Sequence, residues 1–247
     1  MGEKISAVIP VYNSEASLPE LYERLAKVLG DIGGNFEIIM VDDCSCDGSY
    51  RQILKLQRRD NRVKGIKLAQ NFGQQNALIC GFNYISGDYV VTLDDDLQHR
   101  PEDIIKLYEK IREGYDVVYG LPEERRSGFY RKIGSKLTHY LFNLITAKDP
   151  ELRVSSFRIM TWNIVKNIIE DEAAFVYISA LVLEETDNIA SVRVSHRNRK
   201  YGKSNYSFLR LVGLFIRLYI YHGNLPLLRL LRSDSPQYII EEMKGLE

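Results

Sequence analysis

The 247-residue sequence predicts an α/β fold with a central, mostly parallel sheet and helices on both faces. Two observations predict it. Short apolar runs alternate with segments of helical periodicity through the first half of the chain. Each apolar run is followed closely by polar or acidic residues, as expected where parallel strands end at the ligand-binding edge of a sheet.

The composition is that of a globular protein, with 45% hydrophobic and 27% charged residues. The 33 basic and 33 acidic side chains cancel, so no bulk field favours nucleic acid as a partner. The three cysteines are too few for a disulfide framework, which indicates a reducing compartment. No apolar stretch reaches the length of a transmembrane helix without including charge.

The predicted elements follow from periodicity and from the residues that interrupt it. The run ISAVIP predicts a first strand that ends at a proline, and the helix after it shows leucine, tyrosine and valine at helical spacing until Gly30 closes it. The predicted elements are strands at 5–10, 36–41, 63–68, 90–93 and 116–119, and helices at 17–29, 49–59, 74–85 and from 101 onward.

Polar side chains follow four of the predicted strands. They are Pro10, Tyr12 and Asn13 after the first strand, Asp42 and Asp43 after the second, Gln70 and Asn71 after the third, and Asp94, Asp95 and Asp96 after the fourth. The carboxyl ends of parallel strands meet at one edge, and ligands bind there. We therefore expect these four polar loops to converge on one site.

Three consecutive carboxylates are the strongest chemical signal in the chain. Like charges at a strand end repel one another, and Mg2+ together with substrate phosphate oxygens is a fitting partner. Strand alternation would place Asp94 and Asp96 on one side and Asp95 on the other, and Gln98 keeps the phase of Asp94 as a neutral oxygen ligand. The alternative is an acidic loop that is simply exposed to water.

The familiar nucleotide-binding loops are absent from the sequence. No Gly-x-Gly-x-x-Gly follows the first strand, so a dinucleotide cofactor is not expected. Gly202, Lys203 and Ser204 look like the end of a phosphate loop, but the upstream glycine and the strand-to-helix context are missing. Residues 193–203 are basic without any acidic residue, which indicates that this region contacts an anion.

Five segments in order, VIPVYN, VDDCSCDGS, LAQNFGQQNA, GDYVVTLDDDLQHRPED and YGKSNYS, resemble glycosyltransferase family 2 with the GT-A fold. Within that family the chain is most similar to enzymes that move a sugar from a nucleotide onto a polyprenyl phosphate, such as dolichol-phosphate mannose synthases and their undecaprenyl relatives. The resemblance runs to about residue 221. It implies a metal-dependent, inverting transfer from a nucleotide sugar, with UDP as the nucleotide, at the cytoplasmic face of a membrane.

The resemblance also implies roles for individual positions. A nucleotide site would include Pro10, Tyr12, Asn13, Glu15, Asp42 or Asp43, Gln70, Asn71, Asp94 and Asp95. Mg2+ or Mn2+ would be held by Asp94, Asp96 and Gln98. The leaving diphosphate would be stabilised through Asp96 and a late basic loop with Arg199, Gly202, Lys203 and Ser204. An acceptor or its phosphate would contact Arg125, Arg131, Lys132, Ser155, Ser156 and Arg158.

The chain departs from these relatives in two places. Relatives commonly carry Gly-x-Arg after the fifth strand, where this chain has Gly120, Leu121 and Pro122. Many relatives also continue into two transmembrane helices. Here the domain at 1–205 is followed by a segment at 206–247 with amphipathic helices and a polar tail over 233–247. The basic, apolar patterns at 128–146 and 208–231 predict either helices at a membrane interface or packing against each other or a second subunit.

The acceptor is left open by the residues alone. A phosphate monoester is already a dianion near neutral pH and needs only positioning, whereas a hydroxyl needs a nearby base. Glu172, Glu184 and Glu185 are the candidate bases, although the last two also fit an exposed helix end. Arg153 and Arg158 fit phosphate contacts and core ion pairs equally well. The rivals are a family 2 enzyme with a saccharide or other soluble hydroxyl acceptor, a non-catalytic nucleotide-sugar-binding protein, and an aspartyl phosphatase.

Overall fold

The computed structural model describes residues 2–123, 153–170, 176–195 and 236–246. The strands in these ranges are β1 (Ile5–Val11), β2 (Phe36–Asp42), β3 (Val63–Leu68), β4 (Tyr89–Thr92), β5 (Val117–Pro122), β6 (Arg158–Thr161), β7 (Ile189–Val194) and β8 (Ile240–Lys244). They form one sheet in the order β7-β5-β6-β4-β1-β2-β3-β8. Only β6 and β8 run against the direction of the other described strands.

Helices cover both faces of the sheet. They are α1 (Leu18–Ile32), α2 (Ser49–Arg59), α3 (Gln74–Phe82), α4 (Ile104–Ile111), α5 (Trp162–Ile169) and α6 (Ile178–Glu185), with a 3-10 turn at Pro101–Asp103 before α4. The helices α1, α2 and α4 bury their apolar sides on one face, and α3, α5 and α6 on the other. The predicted fold class is therefore confirmed. None of the helices described is both long enough and apolar enough to cross a bilayer.

The central strand β1 contains Pro10, which the sequence predicts as its last residue, and continues one residue further to Val11. Its seven residues are all buried, because helices cover both faces of a parallel sheet. The carbonyl of Val11 accepts a hydrogen bond from Asp43 N on the β2 side, so the preceding Pro10 faces the β4 side. Pairing with β4 ends at Val8, opposite Thr92. The missing N–H of Pro10 therefore removes no hydrogen bond from the sheet.

The boundaries of two helices differ from the prediction. Gly30 was expected to close α1, but the helix continues to Ile32 and the left-handed residue is Gly34, at φ 76°. The burial of Leu18, Leu21, Tyr22, Leu25, Val28 and Leu29 stabilises the helix past Gly30. The third helix, α3, ends at Phe82 rather than Ile85. It packs closely on β1, since a Cβ on Gly81 would lie 2.4 Å from Val8 Cγ1.

The last described strand, β8, lies in the region whose composition predicts a polar tail. It pairs antiparallel with β3 and forms one edge of the sheet. Lys67 Nζ lies 3.0 Å from Glu241 Oε1, and Ala69 N donates to Ile239 O at 2.9 Å. Edge strands carry few apolar residues, which is why the pattern here did not predict a strand. This strand extends the sheet beyond the proposed boundary at residue 205.

A buried carboxylate ties the strands together at the amino end of the sheet. Glu37 accepts hydrogen bonds from Ser6 Oγ and Ser86 N, each at 2.6 Å. Lys64 Nζ and Lys4 Nζ lie 2.7 and 3.2 Å from Glu37 Oε2. Burial acts to raise the pKa of Glu37, but the bonds from Lys64, Ser6 and Ser86 outweigh it and lower the pKa to about 2.

Because the pKa of Glu37 is lower in the folded protein than its ordinary 4.5, its stabilising effect is complete above that value and disappears as the pH falls toward 2. We expect Glu37→Gln to reduce the free energy of unfolding at pH 7 by about 3 kcal/mol, since the two lysines lose their partner. Urea unfolding of both proteins across this pH range should show the difference shrinking in acid. The exposed Glu109→Gln is the control, and a deficit independent of pH would contradict the assignment.

Candidate active site

The three consecutive carboxylates lie in a turn at the carboxyl edge of the sheet. The sequence predicts them directly after the fourth strand, with strand alternation continuing through them, but β4 ends at Thr92 and the turn includes Leu97 at φ 60°. Strand alternation therefore does not set the directions of Asp94, Asp95 and Asp96. Hydrogen bonds direct each carboxylate instead, from other parts of the chain for Asp94 and Asp95 and from the same turn for Asp96.

Asp94 is held from two sides. Gln74 Nε2, at the start of α3, donates to Asp94 Oδ1 at 2.6 Å. Ser156 Oγ, just before β6, donates to Asp94 Oδ2 at 3.0 Å. Both oxygens of this carboxylate are thus oriented by neutral donors from separate elements.

Asp95 faces the loop after β1 and accepts a hydrogen bond from Tyr12 N at 3.0 Å. Burial, with a smaller contribution from the charges of Asp94 and Asp96, raises the pKa of Asp95 to about 6 against the opposing hydrogen bonds from Ser14 and Tyr12. This carboxylate therefore links the acidic turn to the loop after β1.

Asp96 is 9% exposed, and its Oδ1 accepts a hydrogen bond from Gln98 N at 3.0 Å. Gln98 thus contacts Asp96 through its backbone N–H. The Gln98 side chain is half-buried in the same turn. The expected role of the Gln98 side-chain oxygen as a metal ligand stays a prediction.

The loop after β1 is fixed by the turn after β2. Asn13, at φ 53°, donates from its backbone N–H to Ser45 Oγ at 2.9 Å, and its Oδ1 accepts from Cys46 N at 2.8 Å. Glu15 Oε2 accepts from Gly48 N at 3.0 Å. Tyr12 leaves 42% of its surface exposed at this edge. The predicted convergence of the first two loops is present in the structure.

The two acidic residues at the end of β2 have different environments. Asp43 accepts from Phe72 N at 2.7 Å and from Gly73 N at 2.8 Å, so it fastens the loop after β3. Asp42 Oδ2 accepts from Ser45 N at 3.2 Å, whereas its buried Oδ1 has no hydrogen-bond partner. Burial raises the pKa of both carboxyls. Asp42 and Asp43 are the two residues expected to contact a base or ribose. Both oxygens of Asp43 accept hydrogen bonds from the protein, whereas Asp42 Oδ1 accepts none.

The predicted residues after β3 stand at the same edge. Gln70 and Asn71 are exposed, and Asn71 Nδ2 donates to Asp43 O at 3.3 Å. Their exposure leaves both side chains accessible to a ligand at this edge.

The predicted acceptor residues Ser155 and Ser156 lie just before β6 at the edge of the sheet, whereas Arg158, in β6, is buried. Ser155 Oγ accepts from Phe157 N at 3.2 Å, and Ser156 contacts Asp94. Arg158 is 1% exposed, and its Nη1 donates to Ser179 Oγ at 3.0 Å. In this arrangement the Arg158 guanidinium is covered by protein. Arg158 forms no ion pair with a described residue, and its contact with a phosphate stays a prediction.

The remaining predicted positions lie outside the described residues. They are Arg125, Arg131, Lys132, Arg199, Gly202, Lys203 and Ser204, the candidate base Glu172, and the amphipathic patterns at 128–146 and 208–231. The other candidate bases, Glu184 and Glu185, lie at the exposed end of α6, as their charge pattern predicted.

Several residues that build the site were not singled out from the sequence. They are Gln74, which orients Asp94, and Ser45, Asp47, Gly48 and Ser49, which hold the loop after β1. All of them lie in the segments NFGQQNA and DDCSCDGS. The Asp-Gly-Ser turn was itself a usable signal, because such residues commonly hydrogen-bond to nearby backbone.

The family model described as glycosyl transferase family 2 matches residues 6–173, which include every strand that contributes to the acidic turn. The chain belongs to glycosyl transferase family 2. It is a glycosyltransferase, as the ordered segments of the sequence indicated.

Solved structures of similar fold include glucosyl-3-phosphoglycerate synthase from Mycobacterium tuberculosis. Its complex with Mn2+, UDP and phosphoglyceric acid has a TM-score of 0.68 at 18% identity, with 91% of this chain and 80% of that chain covered. The complex with Mn2+, UDP-glucose and phosphoglyceric acid has a TM-score of 0.69 at 17% identity, with 99% and 90% covered. At this identity the likeness establishes the fold, in agreement with a GT-A sheet.

The donor atoms of the acidic turn suit a divalent cation. Mg2+ in proteins takes one or two carboxylates together with substrate phosphate oxygens, and Mn2+ accepts the same hard ligands. Asp94 and Asp96 provide such oxygens within one turn, and the repulsion that helps to raise the pKa of Asp95 would be relieved by a cation. Among the described residues, no three histidine, cysteine or acidic side chains come together as a metal-binding group. Asp94 and Asp96 therefore fit a site in which two carboxylates and the oxygens of a diphosphate bind the cation together.

Gly48 provides the first test of the site, because a Cβ there would lie 2.2 Å from Glu15 Oε1. We expect Gly48→Ala to displace Glu15 and to lower the free energy of unfolding by about 1 kcal/mol through the lost hydrogen bond. Gly30→Ala is the control, since nothing lies within 4 Å of its added Cβ and alanine favours a helix. Equal stability of Gly48→Ala and the parent in urea would contradict the role of this contact.

Proposed function

We propose that this glycosyltransferase moves a sugar from a UDP-sugar, with inversion, using Mg2+ or Mn2+ held by Asp94 and Asp96. The observation that carries the proposal is the acidic turn, whose carboxylates are held by donors from other elements at the edge of the sheet where ligands bind. The Mn2+ with UDP or UDP-glucose in the solved synthase structures supports the choice of cation and nucleotide.

The chemistry is displacement at the anomeric carbon with a nucleoside diphosphate as leaving group. A bound cation supplies Lewis-acid stabilisation of the charge that grows on this diphosphate. Asp94 and Asp96 would hold the cation, and Asp95 keeps the loop of Tyr12 in place. The exposed ring of Tyr12 offers an aromatic surface for the base. Arg199 and Lys203 are expected to add positive charge at the leaving group.

We place a saccharide or other soluble hydroxyl first as the acceptor. Two solved structures of similar fold support this choice, because both are named glucosyl-3-phosphoglycerate synthase and they contain phosphoglyceric acid and glucosyl-3-phosphoglycerate, respectively. Such an acceptor requires a base within hydrogen-bond reach of its hydroxyl.

A polyprenyl phosphate is the second candidate acceptor. The segments NFGQQNA and LDDDLQHRPED favour this acceptor, because they resemble segments of enzymes that transfer sugars to polyprenyl phosphates. The basic, apolar composition of residues 208–231 favours it too, since such composition is typical of helices at a membrane interface. A phosphate dianion would need positioning by residues such as Arg125, Arg131 and Lys132 rather than deprotonation. The enzyme would then work as a peripheral protein at the cytoplasmic face of a membrane.

The metal role predicts the effect of Asp96→Asn. This change removes a charged ligand with little change in volume, so turnover of a UDP-sugar with Mn2+ should fall by more than about 100-fold. The melting temperature should stay close to that of the parent. The exposed Asp31→Asn, on α1, is the matched control. Unchanged turnover in Asp96→Asn would overturn the assignment of the cation.

The acceptor is decided by product analysis with labelled UDP-sugars and Mn2+. Separate reactions contain phosphoglycerate, a saccharide panel, or a short polyprenyl phosphate in detergent. We expect the label in a water-soluble glycoside. An organic-extractable, acid-labile product would replace the hydroxyl acceptor by the lipid phosphate. UDP binding with no transfer and no hydrolysis in any reaction would indicate a non-catalytic protein.

A further inference from the structure

We propose that Gln74 and Ser156 are positioning residues that orient the Asp94 carboxylate for the cation, and that Asp43 sets the position of Gln74. The proposal rests on the proposed function, because it concerns the same divalent cation. Ser156 then orients the metal-binding carboxylate of Asp94 rather than contacting the acceptor. Gln74 becomes a further residue on which catalysis depends.

The hydrogen-bonding capacity of Asp94 allows both contacts and a cation at once. An ionised carboxylate offers about four acceptor positions on its two oxygens. Gln74 Nε2 uses a position on Oδ1 at 2.6 Å, and Ser156 Oγ uses a position on Oδ2 at 3.0 Å. Acceptor positions remain on both oxygens, and the plane of the carboxylate is fixed by contacts at each end.

Ser156 is itself held firmly. Thr92 Oγ1 donates to Ser156 O at 2.6 Å, and Gly120 N donates to Phe157 O at 2.8 Å. The ring of Phe157 packs against His99, with 5.1 Å between the ring centroids. A Cβ on Gly120 would lie 2.6 Å from Phe157 Cδ1, so this glycine leaves room for the ring. The backbone that carries the Ser156 hydroxyl is therefore held by residues of β4 and β5 directly before β6 begins.

Gln74 is held by the end of β2. It is the first residue of α3 and follows Gly73, whose φ of 91° favours glycine. Asp43 accepts hydrogen bonds from Phe72 N and Gly73 N, which fixes the turn that starts the helix. A continuous set of contacts thus runs from Asp43 at the nucleotide end of the site to Asp94 at the cation.

Orientation matters here because the neighbouring carboxylates repel Asp94. Without its two donors, Asp94 would be free to turn away from Asp95 and Asp96, and a cation would have to bring it back. Partners that orient a metal ligand commonly change metal affinity by about 10- to 100-fold when they are removed. A change of that size is measurable apart from turnover.

The test measures Mn2+ binding in the presence of UDP, by the electron paramagnetic resonance signal of free Mn2+. We expect Gln74→Leu and Ser156→Ala each to weaken Mn2+ binding by about 10-fold or more. Ser156→Thr keeps the hydroxyl and should stay within about twofold of the parent. UDP affinity without metal and the melting temperature should change little. Gln52→Leu on α2 and the exposed Ser191→Ala on β7 are matched controls.

The link through Asp43 is tested by a double-mutant cycle. If Asp43 acts on the cation through Gln74, then Asp43→Asn combined with Gln74→Leu should bind Mn2+ no more weakly than the weaker single variant. Additive losses would show that Asp43 acts independently of Gln74 and would overturn that part of the proposal.

The outcomes separate this proposal from the function on which it rests. If the parent binds Mn2+ with UDP and Asp94→Asn does not, while Gln74→Leu and Ser156→Ala bind like the parent, the positioning roles are wrong and the function stands. Losses matched by a lower melting temperature, or by equal loss of UDP affinity without metal, would show a structural role and also overturn the proposal. If the parent binds no Mn2+ with UDP, the proposed function itself fails.

Discussion

Repulsion among Asp94, Asp95 and Asp96 is the constraint on which the arrangement of the site depends. Three adjacent carboxylates are stable in one turn only when other groups direct them apart and share their charge. The structure meets this need with Tyr12 N for Asp95, with Gln74 and Ser156 for Asp94, and with a backbone N–H of the same turn for Asp96. The acidic turn therefore brings together the loop after β1, the start of α3 and the segment before β6.

The order of strands explains why those loops are within reach. Placing β1 between β4 and β2 brings the loop of Tyr12 beside the acidic turn, and the reversed strand β6 brings Ser156 to the same edge as the end of β4. Asp43 then fastens the loop after β3 by accepting two backbone hydrogen bonds. The proposed nucleotide end and the proposed cation end of the site are thereby joined by one set of hydrogen bonds.

Much of this was predictable from the sequence, and the failures have physical reasons. The strands β1 to β4 are short segments rich in apolar residues, so their positions and the convergence of their loops followed directly from the pattern. The first strand runs one residue past its predicted end at Pro10, because pairing with β4 stops at Val8 and the proline costs no hydrogen bond there, which no local pattern reveals. Likewise, β8 was missed because an edge strand needs few apolar residues. Gln74 could not be identified, because only the folded chain brings it to Asp94.

The most direct test of the account is the position of the metal in a crystal of the protein grown with UDP and Mn2+. Data collected near the manganese absorption edge would locate the ion independently of the protein coordinates. The account predicts an anomalous peak at about 2.0–2.3 Å from an oxygen of Asp94 or Asp96 and from the diphosphate. Bound UDP with no manganese at this turn, or manganese coordinated elsewhere on the chain, would contradict it.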